Sequence, residues 1–118
     1  MGFVIRNIEL TDLPALKKFR CGNSSMDAFL KQEAYYYHIL GEGITKIVIT
    51  EDTEEVIGYY TIKADALKID DPDMYEEPWS IPCVEISRLA IRSDWQGGIQ
   101  GVHLGTHLLS QVIIFIKE

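Results

Sequence analysis

Residues 84–109 read VEISRLAIRSDWQGGIQGVHLGTHLL and contain the most informative pattern in the chain. The apolar residues from Val84 to Ile91 predict a β-strand, and the periodic leucines after Gly101 predict a helix. Glycines interrupt the junction at Gly97, Gly98, Gly101 and Gly105. At such a junction the first N–H groups of the helix are unpaired, and glycine lets a phosphate approach the backbone. The pattern therefore indicates a turn that could bind a diphosphate.

Two common phosphate-binding motifs do not fit this turn. No Gly-Lys-Ser/Thr sequence follows it, which excludes the ATP-type loop. The glycine spacing also differs from the dinucleotide fingerprint, and the turn comes after a predicted hairpin instead of opening a parallel βαβ unit. The pattern alone leaves open whether the segment binds a phosphate or is an ordinary turn.

The rest of the chain predicts a layered fold of strands and helices. A short strand is expected within residues 3–8, then one helix, and then a second helix capped by Ser24 or Ser25. Residues 46–50 and 56–63 are β-branched and aromatic and flank a short acidic segment, which predicts a hairpin. The order β-α-α-β-β-β-α favours an α/β or α+β fold in which a mostly antiparallel sheet is flanked by helices.

Composition indicates a single globular domain over residues 1–118, with 47% hydrophobic and 25% charged residues. No apolar run is long enough for a signal peptide or a membrane span, so we expect a cytoplasmic protein without a membrane partner. Cys21 and Cys83 do not form a closely spaced pair, so no metal site is expected. The net charge of −7 disfavours a nucleic-acid partner.

Three stretches resemble segments of the Gcn5-related N-acetyltransferases, in the order found in that family. LAIRSDWQG followed by HLGTHLL resembles motif A, where an apolar strand ends in a Gln/Arg-x-x-Gly-x-Gly/Ala turn that binds the pyrophosphate of coenzyme A. VIGYYTIK resembles the strand before motif A, and FRCGNSSMDAFL resembles a segment of a branch that includes toxins of toxin–antitoxin pairs. The resemblance covers nearly the whole chain and implies the mixed, mostly antiparallel sheet of that family.

The resemblance implies acetyl-CoA as the cofactor and suggests which residues contact it. The strand through Leu89, Ala90 and Ile91 would present its backbone to the pantetheine arm as though the arm were another strand. The diphosphate would lie over Gln96, Gly97, Gly98, Gln100, Gly101, Gly105 and Thr106. The chain departs from the family pattern by extra residues between WQG and LGTHLL, so either Gln96 or Gln100 fits the first position of the motif.

Glu85 is the candidate catalytic residue. An amine must lose a proton before it attacks an acetyl thioester, and a partly desolvated carboxylate on the strand can accept that proton directly or through water. The histone-modifying branch of the family is similar in having Glu-Ile ahead of Ala-Ile on this strand, as in EISRLAI. The alternative is that Glu85 faces solvent or pairs with Arg88, and the sequence leaves both open.

The apolar run at residues 112–118 predicts an incomplete domain, because in the resembled family this helix leads to further C-terminal strands.

Two functions remain open. The first is an N-acetyltransferase acting on a primary amine of a small molecule or protein, with an antitoxin as a partner and with aminoacyl-tRNA disfavoured by charge. The second is a non-catalytic module that binds coenzyme A or forms a homodimer through an unpaired strand edge.

Overall fold

A computed structural model describes residues 2–69, 79–96 and 104–117. One antiparallel sheet has four strands in the order β1 (Phe3–Asn7), β2 (Ile44–Thr50), β3 (Val56–Ile69) and β4 (Trp79–Ile91). The helices are α1 (Leu13–Leu16), α2 (Ser24–Gln32), α3 (Ala34–Ile39) and α4 (Leu104–Lys117). Within these ranges no helix has the length and apolar character needed to span a membrane. The layered α/β fold expected from the sequence is confirmed.

The predicted hairpin is present, but its second strand and β4 are longer than the sequence indicated. β2 pairs with β3 as far as Ile44 opposite Ile62. Beyond that point β3 continues to Ile69 and pairs with β4, which begins at Trp79. Among the described residues, β3 and β4 therefore form a two-stranded arm beyond the end of β2.

One face of the sheet packs against α1, α2 and α3. Phe19 and Phe29 meet Tyr59 of β3, with ring centroids 5.7 Å and 6.3 Å from the Tyr59 ring. The Tyr59 hydroxyl donates a hydrogen bond of 2.7 Å to the carbonyl of Met26 in α2. A buried tyrosine needs such a partner for its hydroxyl. This ring and its hydroxyl together fix the helical layer to the middle of the sheet.

The opposite face packs against α4. Leu104 and Leu108 are buried there in a cluster with Ile91 and Trp95. A β-carbon added at Gly58 would lie 3.1 Å from Ile91 Cδ1, 3.2 Å from the Ala90 carbonyl oxygen and 3.4 Å from Leu108 Cδ1. The close approach of α4 and β4 to β3 therefore depends on the absence of a side chain at residue 58.

The cap of α2 differs from the one predicted. Asn23 is the N-cap, because its backbone is extended (φ −126°) and its side-chain oxygen accepts the N–H of Met26 at 3.1 Å. Ser24 and Ser25 are instead the first two residues of the helix. The predicted second helix also breaks at Glu33, which separates α2 from α3.

Candidate functional site

β4 carries the residues predicted to contact the pantetheine arm. Ala90 and Ile91 are buried, and Leu89 is half-buried against Tyr60 and Ile62. In the part of the chain that the structure describes, β4 pairs only with β3. Its outer edge there has no strand partner, and such an edge can receive an extended ligand as an added strand.

The predicted diphosphate turn is described at its two ends. Gly97, Gly98, Gln100 and Gly101 lie outside the described residues. Gly105 and Thr106 belong to the first turn of α4, where Gly105 is half-buried and Thr106 is exposed. The β-carbon position of Gly105 lies 3.8 Å from Ile91 Cγ1. The start of α4 thus lies beside the end of β4, and the diphosphate contacts of this turn stay a prediction.

Gln96 enters the turn with its side chain already bonded to the protein. Its Nε2 atom donates to the carbonyl of Ile91 and to the carbonyl of Cys21, both at 2.8 Å. The carboxamide nitrogen has two hydrogens, so both are used. If Gln96 contacts a phosphate as predicted, the donor would therefore have to be its backbone N–H.

β4 contains a bulge at Ser87. Thr61 of β3 lies opposite Arg88, whereas the next residue, Ile62, lies opposite Ile86. The extra residue Ser87 donates its hydroxyl to the carbonyl of Thr61 at 3.2 Å. A bulge leaves its extra residue outside the regular ladder. Backbone groups at this point of β4 are therefore available for contacts that a regular strand would not offer.

A cavity of about 260 Å³ opens beside this bulge, between the sheet and the helices α2 and α3. Two carboxylates and two cations line it, together with aromatic rings: Glu33, Glu42, Lys63, Arg88, Phe29 and Tyr37. Of the three consecutive tyrosines in α3, the other two lie elsewhere, since Tyr35 packs against the core and Tyr36 is exposed. The lining therefore carries two charges of each sign.

Arg88 lies against α2. Its guanidinium carbon is 4.3 Å from the centroid of the Phe29 ring, a cation–π distance, and its Nη1 atom is 3.5 Å from the carbonyl oxygen of Ser25. The predicted alternative in which Glu85 pairs with Arg88 is therefore not the arrangement found.

Glu85 pairs with Lys63 across the two strands. The Nζ and Oε2 atoms are 3.7 Å apart, and the side chains are 45% and 44% exposed, so the ion pair contributes little to stability. Lys63 lines the cavity, whereas Glu85 is not among the lining residues. The role of Glu85 as the proton acceptor for an amine stays a prediction.

Sequence reasoning missed Glu33 and Glu42. Glu33 lies at the break between α2 and α3, and Glu42 follows Gly41, whose positive φ of 75° ends α3. Neither carboxylate belongs to a short motif. Only the helix break and the turn bring both of them to the cavity.

A local cationic patch lies in the loop of residues 17–23, here called the α1–α2 loop. Lys17, Lys18 and Arg20 are exposed, and no described carboxylate forms an ion pair with any of them. The patch occurs although the whole chain carries a net charge of −7. This surface can attract an anion that the total charge would repel.

The sequence matches no family model and no curated protein sequence. Solved structures do match. A tyrosine-to-phenylalanine mutant of KacT has a TM-score of 0.78 and 24% identity, over 98% of this chain and 69% of that one. A mutant of the toxin AtaT, bound to the C-terminus of the antitoxin AtaR and to acetyl-CoA, has a TM-score of 0.76 and 24% identity. That match covers 98% of this chain and 66% of the AtaT chain. AtaT complexed with acetyl-methionyl-tRNAfMet has a TM-score of 0.74 and 21% identity, and the match covers 98% of this chain and 69% of the AtaT chain.

This chain spans about two thirds of the length of those proteins. The overlap includes almost all of the chain, so the sheet and its helical layers are shared as a whole. At identities this low, the structural matches establish the fold alone, and this fold agrees with the motif resemblance. The chain therefore has the Gcn5-related N-acetyltransferase fold, in the form found in the toxins KacT and AtaT.

Proposed function

We propose that this chain is an acetyl-CoA-dependent N-acetyltransferase that acts on a primary amine. The observation that carries the proposal is the arrangement around β4. Its outer edge pairs with no described strand, a glycine-bearing stretch of sequence follows it before α4, and its bulge adjoins a cavity lined in part by carboxylates. AtaT, which shares the fold, is known in a complex with acetyl-CoA.

The cofactor contacts would divide between the strand and the turn. The backbone of Leu89, Ala90 and Ile91 would bind the pantetheine arm, since these residues end the free edge of β4. The diphosphate would be held by backbone N–H groups of the turn and of the first turn of α4, at Gln96, Gly97, Gly98, Gln100, Gly101, Gly105 and Thr106. When bound, acetyl-CoA supplies the acetyl thioester.

The cavity beside the bulge would hold the acceptor amine. In the transfer, the amine nitrogen would bond to the acetyl carbon and coenzyme A would leave as its thiolate, while the amine proton would pass to a carboxylate directly or through water. Glu85 is the first candidate for that carboxylate, and Glu33 and Glu42 are the alternatives that line the cavity. Backbone N–H groups near Ser87 would stabilise the charge that develops on the acetyl oxygen.

Isothermal titration with acetyl-CoA tests the cofactor assignment. We expect binding near micromolar in the wild type, and its loss in Gly105→Asp, because a carboxylate at the start of α4 would repel the diphosphate. Ser110→Asp is a matched control, since it adds the same charge at an exposed position of α4 beyond its first turn. No binding by the wild type up to millimolar acetyl-CoA would contradict the proposal.

Steady-state turnover of the three carboxylate variants identifies the base. Glu85→Gln should lower turnover by about 10²-fold or more and keep acetyl-CoA affinity. Glu33→Gln and Glu42→Gln serve as matched controls that remove one charge each from the same cavity. An unchanged rate in Glu85→Gln would exclude Glu85, and a large loss in one control would assign the role to that residue.

We propose aminoacyl-tRNA as the first acceptor to test. Its support is the complex of AtaT with acetyl-methionyl-tRNAfMet together with the exposed cations Lys17 and Lys18, whereas the net charge of −7 counts against it. If RNA binds the cationic patch of the α1–α2 loop, Lys17→Glu and Lys18→Glu should each weaken RNA binding and lower its salt dependence. The affinity for acetyl-CoA should stay unchanged. Equal activity of these variants on aminoacyl-tRNA would favour a small-molecule or protein amine.

The second candidate function is a non-catalytic module. The exposed Glu85–Lys63 pair favours it, because the carboxylate proposed as the base is already paired with an ammonium at the surface. Acetyl-CoA binding without turnover on any amine tested would support this reading. An antitoxin partner, for which the AtaR complex of AtaT is the precedent, and a homodimer stay predictions that co-purification and light scattering would test.

A further inference from the structure

The carboxamide of Gln96 joins two parts of the molecule that are far apart in sequence. Its Nε2 atom is 2.8 Å from the carbonyl oxygen of Ile91, at the end of β4. The same atom is 2.8 Å from the carbonyl oxygen of Cys21 in the α1–α2 loop, 75 residues earlier in the chain. One side chain at the entrance to the glycine-bearing turn thus holds the α1–α2 loop against the strand.

Ser93 adds a second attachment to the same loop. Its backbone N–H donates to the carbonyl of Arg20 at 2.8 Å, and its hydroxyl donates to the same carbonyl at 3.1 Å. The consecutive carbonyls of Arg20 and Cys21 are therefore both held by the segment that leads into the turn. We call these contacts of Gln96 and Ser93 the loop clasp.

The α1–α2 loop is in turn attached to α2 by hydrogen bonds. The backbone N–H of Cys21 donates to Asp27 Oδ1 at 3.0 Å, and Asn23 caps the helix. The same helix carries Phe29, which lines the cavity beside the bulge and lies under the guanidinium of Arg88. A displacement of the loop would therefore move one wall of the proposed acceptor cavity.

The end of β4 has other attachments that do not involve the clasp. The N–H of Arg92 donates to the carbonyl of Ile57 at 2.8 Å, and Trp95 is buried against α4. Gln96 and Ser93 are themselves exposed, and hydrogen bonds that compete with water contribute little net stability. The clasp is thus better suited to fix the position of the loop than to hold the fold together.

We infer that Gln96 is a positioning residue whose carboxamide couples the glycine-bearing turn to the α1–α2 loop, so that acetyl-CoA held at the turn orders the acceptor side of the cavity. The inference rests on the proposed function. Binding at the turn restrains Gln96, the clasp then restrains the loop, and α2 with its cavity wall follows.

Hydrogen exchange of the peptide that covers residues 17–24, with and without saturating acetyl-CoA, tests the coupling. In the wild type acetyl-CoA should slow exchange in this peptide by about fivefold or more. Gln96→Glu keeps the shape of the side chain but removes both donors, and Gln96→Ala removes the carboxamide. Both should abolish the slowing, whereas Ser93→Ala should only reduce it. Gln32→Glu, an exposed glutamine on α2, is the matched control and should keep it.

The outcomes separate this inference from the proposed function. If the wild type does not bind acetyl-CoA in calorimetry, the proposed function fails and the coupling falls with it. If acetyl-CoA binds but leaves the loop peptide unchanged, or slows it equally in Gln96→Glu and Gln96→Ala, the coupling alone is overturned. A thermal midpoint that stays within about 4 °C of the wild type shows that the variants remain folded, and calorimetry shows that they still bind acetyl-CoA, so that slowing lost in a folded variant that binds acetyl-CoA reports the clasp.

Discussion

A buried threonine pair beneath the cavity allows a quantitative test of how the centre of the sheet is stabilised. Thr45 of β2 and Thr61 of β3 lie opposite each other, with their Oγ1 atoms 2.8 Å apart. They are 0% and 2% exposed, so neither hydroxyl can rely on water. One of them donates to the other, so each hydroxyl has the other as a hydrogen-bond partner within the sheet.

Replacing one threonine by valine keeps the shape and the β-propensity but leaves the other hydroxyl buried without this partner. An unsatisfied buried polar group costs about 1–3 kcal/mol, whereas removing both partners together can be nearly neutral. We therefore expect Thr45→Val and Thr61→Val each to lower the free energy of unfolding by about 2 kcal/mol. The double variant should lose only about 0–1 kcal/mol, less than either single variant.

Urea unfolding followed by circular dichroism measures all four proteins of this cycle under one condition. The expected coupling energy is about −3 to −4 kcal/mol, far outside the range found for independent sites. A double variant that loses the sum of the two single losses would show that the hydroxyls act independently. Single variants as stable as the wild type would show that each hydroxyl finds another partner, and either result refutes the reasoning.

Three further predictions concern stability. Asn23→Ala should cost about 1 kcal/mol in urea unfolding because it removes the α2 cap, while Ser25→Ala should cost less than about 0.5 kcal/mol. Gly58→Ala should destabilise by about 1–3 kcal/mol, since its β-carbon would lie 3.2 Å from the Ala90 carbonyl oxygen, which cannot rotate away; an unchanged thermal midpoint would contradict this. Burial raises the pKa of Tyr59, so its contribution to stability is complete below about pH 10 and is lost as pH rises further. Tyr59→Phe should therefore lose less stability than the wild type between about pH 9 and 11 in pH-dependent urea unfolding.

The sequence predicted most of the architecture because the signals for it are local. The β-branched and aromatic residues at 56–63 indicate a strand, and the periodic leucines after Gly101 indicate a helix with one buried face. The N-cap of α2 was misplaced because Asn23, Ser24 and Ser25 are all good capping residues, and only the backbone conformation distinguishes them. The lengths of β3 and β4 were underestimated because pairing within the arm depends on the partner strand.

The candidate site was harder to predict because its geometry depends on the bulge. In a regular strand Ile86 and Arg88 would share one face. The extra residue Ser87 instead places Arg88 opposite Thr61 and Ile86 opposite Ile62, so the two side chains lie on opposite faces. The alternation of the sequence carries no sign of this shift, and it could not show that Glu85 pairs with Lys63. Glu33 and Glu42 reach the cavity through tertiary packing alone.

The order of strands in the sheet also bears on how the chain folds. Among the four described strands, each hydrogen-bonded pair is consecutive in sequence. β2, β3 and β4 can therefore assemble as successive hairpins that close short loops, which favours rapid formation. Joining β1 to β2 must first enclose all three N-terminal helices, and the ring contact of Phe3 with His107 joins segments that are farther apart in sequence still. We expect the hairpins to form early and the attachment of the N-terminal segment to be the slower, entropy-limited step.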